Sequence, residues 1–111
     1  MSIFSKLFGP AALSPREARQ KMEQGGKYIL LDVRTPQEFK EARIKGAINI
    51  PVDQLASRAA AELPDKNIPV FIYCRSGMRA GRAAGILNSM GYANAVSFGG
   101  IMSWPYETVR G

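Results

Sequence analysis

At 111 residues, 46% of them hydrophobic, the chain is sized for one compact domain with a core of its own. A single cysteine and the absence of histidine exclude an internal disulfide, a Cys/His zinc cluster, a Cys-His dyad and a Ser-His-Asp triad. No metal and no cofactor are therefore expected, and any chemistry has to run on thiol, carboxylate, hydroxyl or arginine. The net charge of +6 points to an anionic partner. Lys21, Lys27, Lys40, Lys45, Arg58 and Lys66 are scattered and do not alternate with aromatics, so we expect a small anion and no nucleic acid.

Residues 1–12 read as an N-terminal tail and 13–111 as the domain. The opening "MSIFSKLFGPAALS" lacks the continuous apolar region and cleavage pattern of a secretory signal. No stretch approaches the roughly 20 apolar residues of a spanning helix, so no membrane partner is expected. Ile3, Phe4, Leu7 and Phe8 sit on an amphipathic turn or two, too short for an anchor. An unpaired thiol fits a reducing compartment, and the expected location is cytoplasmic.

In chain order, "SPREARQKME" opens with Ser14 as cap, Pro15 at the first helical position and Glu17 three residues after the cap, and Gly25 and Gly26 close the helix. "YILLDV" (28–33) is a short apolar run of the kind buried on both faces of a sheet. "TPQEFKEA" repeats the helix signal with Thr35, Pro36 and Glu38. "GAINIP" predicts a brief strand ended by Pro51, and "DQLASRAAAELP" a helix stopping before Pro64. "PVFIYC" is the strongest strand, joining branched and aromatic residues, and it delivers Cys74 at its C-terminal end. "RAGRAAGILNSMGY" spaces Ala83, Ile86, Leu87 and Met90 as one helical face, and "AVSF" reads as the last strand. This alternation predicts an α/β domain: a central, mostly parallel β-sheet with helices on both faces. Ligands of such sheets sit beyond the strands' carboxyl ends, where Cys74 lies.

The loop after Cys74 has the makings of an anion cradle. A helix N-terminus and nearby arginines stabilise a thiolate without a histidine base. Ser76 and Gly77 permit a tight turn that aims backbone N–H groups inward, and a helix starting near Arg79 adds its positive end. An inert cysteine ending a strand is the bland alternative, weakened by the arginine- and glycine-rich sequel. Cysteine-centred phosphate loops of the tyrosine-phosphatase kind place their arginine one residue further along, where this chain has Ala80. The shorter ring formed with Arg79 fits closely around a sulfur added to cysteine.

The segments "LLDVRTPQEF", "IKGAINIP", "YCRSGMRA" and "FGGIMSW", in this order between about Leu13 and Trp104, resemble the single-domain rhodanese-like sulfurtransferases. That resemblance implies a rhodanese-like α/β single domain and a thiosulfate sulfurtransferase-like enzyme. Cys74 would take the outer sulfur of a small anionic donor such as thiosulfate, hold it as a persulfide, and pass it to cyanide, a thiol or a sulfur-carrier protein. By family position, Arg75 and Arg79 orient the donor anion, and the loop of Arg75, Ser76, Gly77, Met78 and Arg79 holds the persulfide with its amides. Met78, at the loop tip, is a soft contact for an acceptor or a merely exposed side chain. Three competing readings stay open: a sulfur-relay module loaded by a protein donor such as a cysteine desulfurase; a phosphatase or arsenate reductase, disfavoured by the loop length and the lack of a second cysteine; and a non-catalytic interaction domain.

Further residues carry expectations. Asp32 and Arg34 are expected to be structural, Glu38 and Glu41 to lie on a solvated helix face in preference to pairing with Lys or Arg on a helix surface, Trp104 to be core, and Gly99 and Gly100 to let backbone approach the site closely. The chain departs from the family at Ala42 and Arg43, where Gly-His is common, and at Ala80, where a serine or threonine is common. Arg43 would add positive charge at the mouth of the site, and Ala80 would leave the helix start without a hydroxyl cap. Pro105 would break any helix continuing past Trp104.

Overall fold

The computed structural model describes residues 12–111. The proposed tail, but for Ala12, lies outside the described residues. Helix α1 (Pro15–Glu23) starts as the sequence requires: Ser14 Oγ accepts from Glu17 N–H, and the Glu17 carboxylate accepts from Ser14 N–H. Strand β1 (Ile29–Asp32) leads to α2 (Pro36–Glu41), which carries a second capping box on Thr35 and Glu38. Strand β2 (Ile48–Asn49), a short 3₁₀ turn (Val52–Gln54) and α3 (Leu55–Glu62) follow. Then come β3 (Val70–Cys74), α4 (Met78–Ser89), β4 (Ala95–Gly100) and a final 3₁₀ turn (Ile101–Ser103).

The four strands form one sheet in the order β2-β1-β3-β4, every neighbouring pair parallel. This meets the expectation of a mostly parallel sheet. Side chains alternate across it, as a strand period of two demands. Leu31, Val33, Val70, Ile72 and Cys74 enter one core with Leu55 and Ala59 of α3 and Ala80, Ala83 and Leu87 of α4. Leu30, Phe71 and Tyr73 enter the other with Ala18 of α1, Phe98 and Trp104. Each side chain of Leu, Ile or Phe size so buried contributes about 1.5–3 kcal/mol of transfer free energy. All of β3 is buried, so the strand that carries Cys74 is the least mobile base the fold can offer.

Three elements differ from the sequence reading. Strand β2 shrinks to two residues: Ile50 and Val52 still donate to the Asp32 and Val33 carbonyls, but the Arg34 N–H of the facing segment turns to Asp32 Oδ1 and no longer continues the ladder. Strand β4 runs two residues past "AVSF", since Gly99 and Gly100 carry the pairing to Cys74 through a shift in register. Arg43 does not charge the mouth of the site. It forms an antiparallel bridge with Val109, and its guanidinium donates to the Gly111 carbonyl at 2.8 Å, so it fastens the C-terminal segment. Trp104 is core, as expected, and the 3₁₀ turn stops before it, ahead of Pro105.

Candidate active site

Cys74 ends β3 and is only 1% exposed. The chain then turns through Arg75 and Ser76, both exposed, to Gly77, which starts α4 at φ +121°. Glycine alone reaches this conformation without strain, and here it lets the Gly77 N–H point back at Cys74 Sγ, 2.9 Å away. No side chain caps α4, so the positive end of a three-turn helix faces the sulfur. Ala80, where a hydroxyl was expected to be missed, is fully buried in the core beneath the loop.

The end of β4 holds the loop from the other side. A Cβ on Gly100 would lie 2.0 Å from the Arg75 carbonyl oxygen and 2.6 Å from the Ser76 nitrogen, and one on Gly77 would lie 3.4 Å from the Gly99 Cα. Met102 N–H donates to the same Arg75 carbonyl at 3.2 Å. Gly100 thus allows the close backbone approach that the sequence predicted, while Gly99 supplies a positive φ of +99° and a Cβ there would meet nothing. Met78 and Met102, 86% and 69% exposed, flank the loop as an apolar rim.

The expected site residues divide by what they touch. Cys74, Gly77 and the start of α4 come together around the sulfur. Arg75 is exposed and pairs with no carboxylate among the described residues. Arg79 is engaged: Nη1 donates to Glu38 Oε1 at 2.8 Å and Nη2 to Oε2 at 3.1 Å, a two-pronged pair across 41 residues of sequence. Glu38 is therefore more than a solvated helix residue, and this is the site feature that sequence reasoning missed. The available signal was topological. Glu38 opens the helix after β1 and Arg79 the helix after β3, and parallel neighbours put both helix starts at one end of the sheet.

Arg79 holds Glu38 well below the usual carboxylate range, to about 2, against the opposing effect of partial burial. Glu38 in turn raises the Arg79 guanidinium. Asp32 and Arg34 form the other pair, both buried, with Arg34 Nη2 at 2.7 Å and Nε at 3.0 Å from Asp32 Oδ2. Burial pulls Arg34 down, but the hydrogen bonds and charge of Asp32 outweigh it. Arg34 also donates to the Ala42 carbonyl, and Asn49 Nδ2 donates to the carbonyls of Asp32 and Arg34 at 3.0 and 2.9 Å. Burial, followed by the Asp32 charge, raises the Tyr73 phenol, whose oxygen accepts from Ile44 N–H at 3.0 Å. These contacts brace β1 and the segment after α2; none reaches the sulfur.

Comparison with known proteins agrees with this geometry. The chain matches the family described as "Rhodanese-like domain" over residues 14–106. It is 38% identical over 81 residues to thiosulfate sulfurtransferase PspE of Escherichia coli, covering 73% of this chain and 78% of that protein. It is 35% identical over 96 residues to the probable adenylyltransferase/sulfurtransferase MoeZ of Mycobacterium tuberculosis, covering 85% of this chain but 24% of that longer protein. Among solved structures, a rhodanese with anions from E. coli superposes with a TM-score of 0.72 at 36% identity, over 77% of this chain and 100% of the other. With a parallel sheet, a cysteine at the carboxyl end of its central strand and a matched length covering nearly the whole domain, the chain belongs to the rhodanese-like domain family and is a sulfurtransferase.

Proposed function

We propose that this sulfurtransferase works through a persulfide on Cys74, with thiosulfate as a small donor and cyanide or a thiol as acceptor. The observation that carries this reading is the Gly77 N–H directed at Sγ from 2.9 Å at the uncapped start of α4, which places donors where the sulfur carries charge during transfer. The Cys74 thiolate attacks the outer sulfur of thiosulfate; a new S–S bond forms, the donor's S–S bond breaks, and sulfite leaves with the electron pair. Cyanide then attacks the terminal sulfur of the persulfide, leaves as thiocyanate and returns the thiolate. Arg75 meets the incoming anion, and Arg79 joins it once released from Glu38. The loop amides hold the charge of the terminal sulfur as an oxyanion hole holds developing charge.

The rim of Met78 and Met102 favours a second use of the same persulfide. Exposed methionines adapt to varied apolar surfaces, and a domain of this kind forms part of the longer MoeZ. A protein donor such as a cysteine desulfurase, or a sulfur-carrier protein as acceptor, fits that rim. A reducing, cytoplasmic setting would keep the thiol unpaired between turnovers.

Intact-mass measurement tests the cycle. Reduced protein is expected to gain one sulfur from excess thiosulfate and lose it to cyanide, while Cys74→Ser gains none. A sulfur gain by Cys74→Ser, or none by the native protein with either thiosulfate or a desulfurase, would overturn the proposal.

A further inference from the structure

Beside the reactive loop lies a depression of about 370 Å³ lined by Arg34, Glu38, Glu41, Arg75, Ile101 and Met102. Two carboxylates share this depression with Arg75, the exposed arginine proposed to meet the incoming dianion. One of them, Glu38, already holds the end of the Arg79 guanidinium, taking one N–H from each Nη. Nor is that carboxylate free to follow the arginine. Its Oε1 also accepts from Thr35 N–H at 3.0 Å and from Thr35 Oγ1 at 3.2 Å, which fixes it to the first turn of α2. A donor anion that takes the same two N–H groups has to displace Glu38, and one that takes the remaining N–H groups of the guanidinium meets a charge Glu38 has already offset.

We infer that Glu38 is an intramolecular competitor for the donor site: it neutralises Arg79 in the resting loop and sets how strongly small anions bind there in proportion to their charge. The inference deepens the sulfur-transfer reading and rests on it for the identity of the anion. Glu38 is held ionised down to a pH of about 2, so the competitor is present at every working pH. Its strength is bounded by exposure. The two side chains are 34% and 26% exposed, and pairs of that kind are worth at most about 1 kcal/mol, so removing the charge is expected to change affinity about five-fold or less. The effect is graded: a dianion gains most from its removal, a monoanion less. The resting site thus discriminates against free dianions in favour of donors that bring their sulfur with less charge.

The test uses anion binding, so that it does not depend on turnover. Calorimetry at fixed ionic strength would compare thiosulfate with the monoanion benzenethiosulfonate on Cys74→Ser and on the double variant Cys74→Ser/Glu38→Gln. Glutamine at the third helical position still completes the capping box, so the substitution removes charge while keeping the helix start. The expected result is roughly three- to five-fold tighter thiosulfate binding and about half that gain, or less, for benzenethiosulfonate. Binding that is unchanged, weaker or undetectable in both variants overturns the inference, as do equal gains for the two anions. Weaker binding would make Glu38 a positioning residue that holds Arg79 in place for the donor. Should the glutamine variant melt early, Glu38→Asp shortens the reach to Arg79 and is expected to shift affinity in the same direction. In otherwise native protein, Glu38→Gln should lower the thiosulfate KM with a smaller change in kcat. Sulfur uptake by the native protein, read separately by mass, reports on the transfer chemistry alone.

Discussion

Two arginine-carboxylate pairs draw on one stretch of sequence, "DVRTPQEF", one lying wholly within it and the other reaching out to Arg79, and they do opposite things. Asp32 and Arg34 are two residues apart, 0% and 5% exposed, and tied further to Ala42 and Asn49. Glu38 and Arg79 are 41 residues apart, partly exposed, and joined only at the tips of their side chains. A buried pair is costly to form and far more costly to break, so it fixes a geometry. A half-exposed pair exchanges one partner for another at small cost, so it suits a place where ligands come and go. Burial, more than residue type, separates scaffold from site.

The sharpest way to break the comparison is Asp32→Asn, which leaves Arg34 charged and unpaired inside the protein. We expect a loss of about 3–5 kcal/mol, read by denaturant unfolding. A loss below about 1 kcal/mol would show that water reaches the pair and that the two are alike. Next in size is Gly100→Ala, which strains the reactive loop without touching either pair, because its Cβ would overlap the Arg75 carbonyl. It should cost about 1–3 kcal/mol and lower kcat/KM for sulfur transfer by more than its effect on folding accounts for. Native activity together with native stability would mean that the loop tolerates displacement.

The smallest effect belongs to the second pair. Glu38 titrates at about 2 in the folded protein and near 4.5 when unfolded, so its contribution is complete above about pH 4.5 and disappears as pH falls through 2. The melting temperature of the native protein should therefore exceed that of Glu38→Gln by a few degrees or less at pH 7, and the two should converge near pH 2. A constant difference across that range would place the stabilising contact elsewhere.

The legible parts of this molecule are those in which near neighbours in sequence dictate structure. Both capping boxes could be read from Ser14-Pro15 and Thr35-Pro36 with their following glutamates, and β3 from its run of branched and aromatic residues, which also placed Cys74 at the strand's end. The close approach at Gly100 was anticipated as well. Partners chosen at long range were not legible. Glu38 could be read as the capping-box residue, but nothing local marks it for Arg79, nor Arg43 for Val109 and Gly111. Those contacts follow from strand order, and strand order is a property of the whole sheet.

The burial of Cys74 has a consequence for the reagents this protein can meet. A sulfur 1% exposed beneath its own loop selects by shape before it selects by charge. A terminal sulfur carries no substituent besides the group it leaves, so it needs less room at such a site than a sulfur of an ordinary disulfide, which carries a carbon beside the line of displacement. Burial of this kind favours sulfane sulfur as the reagent and disfavours the mixed disulfides that an open cysteine would collect.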